Sequence, residues 1–120
     1  MMNFGKLLRS LREAAGISMG ALARHLEVSV TYLSDVERGT RAPLTSERIE
    51  KAANLLNLPP AKVRELDAAA GEARGYFELG ITSPTSREVG ATLMRGWPRF
   101  QDEEFEQIKQ LLSRLESKER

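Results

Sequence analysis

The sequence predicts an all-α chain with a five-helix head and a C-terminal helical segment. Three observations carry this. Two short helical patterns, residues 18–26 and 29–38, are joined by only a few residues, a connection that forces a steep crossing of the second helix over the first. Apolar stripes at helical spacing flank this pair on both sides, giving six or seven helical stretches in all. Glycine and proline then punctuate the chain mostly where those stripes stop.

The first helix is expected over about residues 3–15. Phe4, Leu7, Leu8 and Leu11 form its stripe, Asn3 suits an N-cap, and Gly16 is a stop. In the next two helices Leu22, Ala23, Leu26, Val28, Leu33 and Val36 fall where the pair must face each other and a shared core. Ala23 is small at the point of closest approach. The outer face of the third helix is left with Val30, Thr31, Tyr32, Ser34 and Asp35, short or polar groups that a purely packing helix does not require. A fourth helix, about 45–56, buries Ile49, Ala52, Ala53 and Leu56, and Glu47 in its first turn favours the helix dipole. Pro59 and Pro60 open a fifth, with Val63 and Leu66 inward. It runs to about Ala70 and is ended by Gly71.

The head thus spans residues 1–70, followed by a linker at 71–83 and a C-terminal segment at 84–120. Gly71, Gly75, Gly80 and Ser83-Pro84 forbid one continuous helix through the linker, and its Tyr76, Phe77, Leu79 and Ile81 are expected to dock. A helix from about Ser83 or Pro84 to Arg95 presents Val89, Leu93 and Met94 on one side and stops at Gly96, Trp97 and Pro98. The last helix, about 102–117, starts with Asp102, Glu103, Glu104 and Glu106 and finishes with Lys109, Arg114 and Lys118, a gradient that matches its dipole. Phe105, Ile108, Leu111, Leu112 and Leu115 form almost a heptad seam along it.

Composition narrows the function classes. No apolar run is long enough to span a membrane, no signal peptide is recognisable, and the absence of cysteine excludes disulfides and thiolate metal sites, as expected of a cytoplasmic protein. Enzyme chemistry finds no support. The one histidine, His25, stands beside Arg24 on the outer side of the second helix, and no phosphate loop, nucleophile elbow or metal motif is present. No cofactor is expected.

Five local stretches, in order, carry a resemblance. They are L-R-S-L-R-E-A-A-G (8–16), S-M-G-A-L-A (18–23), V-S-V-T-Y-L-S (28–34), V-E-R-G-T-R-A-P (36–43) and A-A-N-L-L-N-L, which ends the fourth helix. Together they resemble the Xre/Cro family of bacterial and phage helix-turn-helix regulators over about the first half of the chain. The resemblance implies a lambda-repressor-like five-helix DNA-binding domain whose third helix enters the major groove, usually as a dimer on a palindromic operator. It also implies that Arg12 and Glu37 pair across the domain and brace the first helix against the third. Two positions depart from the family pattern: Met19 stands where a phosphate-contacting Gln is frequent, and Glu27 where the turn usually has Gly.

By family position, Val30, Thr31 and Asp35 point into the groove, with Tyr32 and Ser34 at its edge. Ser18 and Ser29 start the two helices, and Ser18 aims the amides of the second at the DNA backbone. The net charge is only +1, with +2 over residues 1–58 and −1 over 59–120, so affinity is expected from a few placed phosphate contacts. Arg38 and Arg41 are the best placed, with Arg48 next along.

Residues 84–117 exceed what such a head needs, and a symmetric DNA reader needs two heads held one helical turn apart. A homodimer interface is therefore expected at Trp97, Phe100, Phe105, Ile108, Leu111, Leu112 and Leu115. The primary reading is a homodimeric repressor on double-stranded operator DNA. The alternative is an antitoxin whose tail neutralises a protein partner, a toxin or a metallopeptidase, while regulating its own operon.

Overall fold

The computed structural model describes residues 2–118, and the chain divides into two compact units, Met1–Glu78 and Leu79–Arg120. All regular structure among the described residues is helical. The first unit holds α1 (Phe4–Ala14), α2 (Met19–Leu26), α3 (Val30–Arg38), α4 (Ser46–Leu56) and α5 (Pro60–Arg74). Four of these begin on a side-chain cap three residues upstream of the amide it satisfies. Asn3, Ser18, Ser29 and Thr45 accept from the backbone N–H groups of Lys6, Ala21, Tyr32 and Arg48. The fifth begins on Pro60, whose missing N–H had no helical partner to lose.

Leu8, Leu22, Leu33, Leu44, Ile49 and Leu66 are fully buried at the centre, each contributing about 1.5–3 kcal/mol of burial free energy. Helix α1 packs on α3 and α5, α2 on α3 and α4, and α4 on α5. The α1–α3 crossing is tight. A Cβ on Gly5 would stand 2.4 Å from the Glu37 carbonyl oxygen and 2.6 Å from that of Val36, so only glycine fits. This crossing fixes α3 against the rest of the head.

Helix α5 does not stop at Gly71. It continues to Arg74 and ends on Gly75, whose φ of 87° allows the left-handed turn. A mid-helix glycine ordinarily costs about 1 kcal/mol relative to alanine, but here it makes room. Gly71 is buried, and a Cβ there would stand 2.3 Å from the Phe77 ring. The chain after α5 returns just far enough to seat that ring, and Arg74 donates to the Leu44 carbonyl oxygen. Gly71–Arg74 therefore belong to the helix rather than to a linker. Beyond them the expected docking is limited to the Phe77–Gly71 contact, since Tyr76, Phe77, Leu79 and Ile81 all remain more than half exposed.

The second unit holds α6 (Pro84–Gly96), a 3₁₀ turn at Trp97–Arg99 and α7 (Asp102–Lys118). Ser83 and Ser86 cap α6 reciprocally. Ser83 Oγ accepts from the Ser86 N–H at 3.0 Å, and Ser86 Oγ accepts from the Ser83 N–H at 2.9 Å. Gly96 is buried because the Phe100 ring lies over it, where a Cβ would stand 2.9 Å from the ring. Trp97, Phe100 and Phe105 meet edge-to-face at centroid separations of 4.9 to 6.3 Å. No described residue of α7 is buried.

Candidate nucleic-acid interface

The α2–α3 connection is Glu27, Val28 and Ser29, and its geometry sets the angle of α3. Glu27 lies in the left-handed region at φ 57°, a conformation that costs a residue with a Cβ about 1–2 kcal/mol. The Val28 N–H then bonds back to the Ala23 carbonyl at 3.0 Å and the Glu27 N–H to that of Arg24 at 3.1 Å, closing α2. Val28 tucks against the core, and Ser29 Oγ at once caps α3 by accepting from the Tyr32 N–H at 3.0 Å. At the far end Gly39 takes φ 81°, and both the N–H and Oγ1 of Thr40 bond to the Asp35 carbonyl. The helix is thus fixed at both ends.

On this helix Leu33, Val36 and Glu37 face inward. Val30 and Thr31 are exposed at its N-terminal turn, Ser34 and Asp35 are half-covered, and Arg38 is exposed. Asp35 does not stand free, because its carboxylate is paired with the Arg38 guanidinium one turn on. Ser18 and Ser29 are exposed at the starts of α2 and α3, the positive ends of those helices, which favour anions. Arg24 and His25 are exposed along α2.

Tyr32 is placed differently from its neighbours. Its body packs against the core. The Arg41 guanidinium lies 5.3 Å and that of Arg48 5.5 Å from its ring centroid, and Arg48 Nη1 donates to the Tyr32 hydroxyl at 3.2 Å. Arg41 sits in the loop after α3 and Arg48 in the first turn of α4. One ring therefore gathers two cations from two further elements. Neither forms an ion pair among the described residues.

Behind α3 the structure brings Arg12 and Glu37 together as a buried bidentate pair. Arg12 Nε donates to Glu37 Oε2 at 2.8 Å and Nη2 to Oε1 at 3.0 Å, while Nη1 donates to the Ile17 carbonyl at 3.0 Å. The pair ties α1, the α1–α2 loop and α3 at one point. Hydrogen bonding to Glu37 holds the Arg12 guanidinium above its ordinary pKa, despite the opposing effect of burial.

In the second unit Trp97, Phe100 and Phe105 form the aromatic cluster already described, and Ile108 is half-buried. Leu111, Leu112 and Leu115 are each more than half exposed, so the single chain leaves the apolar seam of α7 largely uncovered. Among the described residues there is no cluster of His, Asp or Glu able to hold a metal ion, and no helix is long and apolar enough to cross a membrane.

The capped helix pair with a solvent-facing second member defines a helix-turn-helix domain, and the helix-turn-helix domain family model matches residues 3–66. Transcriptional regulator ClgR of Mycobacterium tuberculosis is 34% identical over 89 residues, covering 74% of this chain and 77% of that protein. The helix-turn-helix-type transcriptional regulator YazB of Bacillus subtilis is 34% identical over 65 residues, 49% of this chain and 93% of its own length. A longer helix-turn-helix-type regulator of Mycobacterium bovis is 34% identical over 94 residues, which make up 36% of its length. No solved structure matches the chain. The chain belongs to the Xre-like family of helix-turn-helix transcriptional regulators, a DNA-binding and non-enzymatic class.

Proposed function

We propose that this regulator is a repressor that occupies a palindromic operator as a homodimer, with α3 of each head in the major groove. In this reading Val30 and the Thr31 methyl pack on thymine methyl groups, and Ser34 and Asp35 take polar base contacts. Ser18, Ser29, Arg38 and Arg41 hold the flanking backbone.

The observation that carries the dimer is the uncovered seam of α7. Leu111, Leu112 and Leu115 are 52–55% exposed in the single chain, and Trp97 just before the helix is 57% exposed; contiguous apolar surface of this kind marks an interaction site. A second copy is the occupant that charge favours. The helix begins Asp102-Glu103-Glu104 and ends with Arg114 and Lys118 around a single Glu116, so two copies packed antiparallel set each acidic start against a weakly basic end. Ile108, Leu111 and Leu112 then lie near the two-fold axis, where each residue acts twice.

The test is Ile108→Glu, read by sedimentation equilibrium together with circular dichroism and a thermal melt. The wild-type chain is expected to sediment at twice its monomer mass. The variant should be monomeric with its helical content retained, and its operator affinity should fall steeply because the second head loses its high effective concentration. A variant still dimeric at micromolar concentration refutes the seam. In vitro selection of bound duplexes supplies the operator, and selected sites without two-fold symmetry would refute the homodimeric reading. A wild-type chain that stays monomeric alone and binds a toxin or metallopeptidase through α7 would establish the antitoxin reading instead.

A further inference from the structure

Two arginines from different elements converge on Tyr32, and neither is neutralised by a carboxylate among the described residues. Their setting is otherwise unfavourable. Arg48 occupies the first turn of α4, the positive end of that helix, where an anion and not a cation is stabilised. Arg41 brings a second positive charge to the same ring. Cations so gathered, on the side of α3 that faces its flanking loop, are matched by an anion supplied from outside. From this arrangement we infer that Tyr32 is a positioning residue for a two-arginine clamp on the DNA phosphate backbone, and that it reads no base.

The chemistry fits each part. The tyrosine ring offers its negative face to the guanidinium groups and keeps them extended, so less side-chain freedom is lost when they meet phosphate. The hydroxyl accepts one Arg48 N–H, at 3.2 Å, and leaves the other donors of that guanidinium free. The ring itself is held by packing against the core and by its own amide on Ser29 Oγ, so the clamp is referenced to the start of α3. Backbone contacts of this kind fix the register of a recognition helix without carrying sequence information. The clamp would also supply part of the affinity that a net charge of +1 cannot provide through its general field.

This inference rests on the placement of α3 in the major groove. The full-length chain is titrated onto a labelled mixed-sequence duplex by fluorescence anisotropy over a series of KCl concentrations, with melting temperature measured alongside. Each guanidinium–phosphate contact contributes about 0.9 to the slope of log K against log salt. Tyr32→Leu keeps an apolar body against the core but removes the platform, and should flatten the slope by up to about 1.8 per head. Adding Arg41→Gln to Tyr32→Leu should then change little, whereas in the wild-type background it flattens the slope by about 0.9. Tyr32→Phe retains the ring and should keep the Arg41 share.

A merely structural Tyr32 would lower the melting temperature and leave the slope of the folded protein unchanged, which overturns the clamp alone. If Tyr32→Leu does not fold, Arg48→Gln decides, since an unchanged slope overturns the clamp and a flatter one supports it. A wild-type chain that binds no duplex at any salt concentration would overturn the groove placement as well. A Tyr32→Leu variant with an intact slope but altered base preference in selection would make Tyr32 a base reader.

Discussion

Cutting the Arg12–Glu37 pair from either side should unfold the head far more readily than an exposed ion pair would predict. The side chains are 10% and 2% exposed, and both carboxylate oxygens are engaged. Removing one partner of such a pair leaves a buried charge and costs about 3–5 kcal/mol. The two truncations are not equivalent. Arg12→Ala strips Glu37 of both donors and also leaves the Ile17 carbonyl without its bond from Nη1, whereas Glu37→Ala leaves an arginine that is slightly exposed and still holds Ile17. Arg12→Ala should therefore lie near the upper end of the range and Glu37→Ala near the lower. In a head of this size 3 kcal/mol lowers the melting temperature by at least about 12 °C. The double replacement Arg12→Met with Glu37→Leu should recover most of the loss, because apolar pairs of similar volume often match or exceed a buried ion pair. Urea denaturation followed by helical circular dichroism measures all of these, with an unchanged m-value showing that stability alone has moved. Single truncations costing under about 1 kcal/mol, the range of surface pairs, would refute the reasoning.

Three further outcomes follow from the same geometry. Gly5→Ala should destabilise the head by at least about 1–3 kcal/mol, since its Cβ meets backbone carbonyls of α3 at 2.4 and 2.6 Å and helices must shift apart; a melt within error of wild type would refute the close crossing. Glu27→Gly should stabilise by up to about 1 kcal/mol by relieving the left-handed backbone, less the greater freedom of glycine in the unfolded chain, and a loss of stability would show that the Glu27 side chain contributes more than its strain. Partial burial holds the Asp67 carboxyl above its ordinary 3.8, against the opposing pull of Arg74. The folded state thus keeps this proton longer than the unfolded chain, so the stability linked to Asp67 is fullest below pH 3.8 and is lost as pH rises through the elevated value. Asp67→Asn should flatten that part of the stability–pH curve, and an unchanged curve would refute the linkage.

What the sequence made legible was mostly local. Asn3, Ser18, Ser29 and Thr45 cap amides three residues away, a relation written in spacing, and the stripes through Phe4–Leu8 and Ile49–Leu56 repeat within one helix. The end of α5 was not legible, because the reason Gly71 continues the helix is the Phe77 ring laid over it, a contact that propensity does not encode. The same applies to Tyr32. Its place on the helical wheel suggests a groove edge, but its surroundings come from Arg41 and from Arg48, which lies 16 residues along the chain. Only the packing of α2 against both α3 and α4 brings them together. Asp35 and Arg38 were closer to legible, since three residues apart on a helix are neighbours, yet considered singly they suggest two independent roles.

That last pair bears on how the proposed complex would form. Asp35 and Arg38 engage each other in the free protein, so a base contact by one and a backbone contact by the other compete with an existing bond. The competition is mild. An exposed pair one turn apart contributes about 0–1 kcal/mol, and the Arg38 side chain is 63% exposed. Duplex DNA offers Arg38 a phosphate in exchange, and a cytosine amino group offers Asp35 a donor in place of the guanidinium. Where no cytosine is present, the freed carboxylate would face the negative backbone unpaired, and keeping the pair intact would be the lower-energy choice. In the proposed complex the pair would therefore discriminate in two ways, by what Asp35 accepts at a matching base and by what its release costs at a mismatched one. The two arginines on Tyr32 carry no such condition. In the proposed clamp they would meet phosphate at every sequence, so specificity would rest on the exposed face of α3 and general affinity on the loop and α4 that follow it.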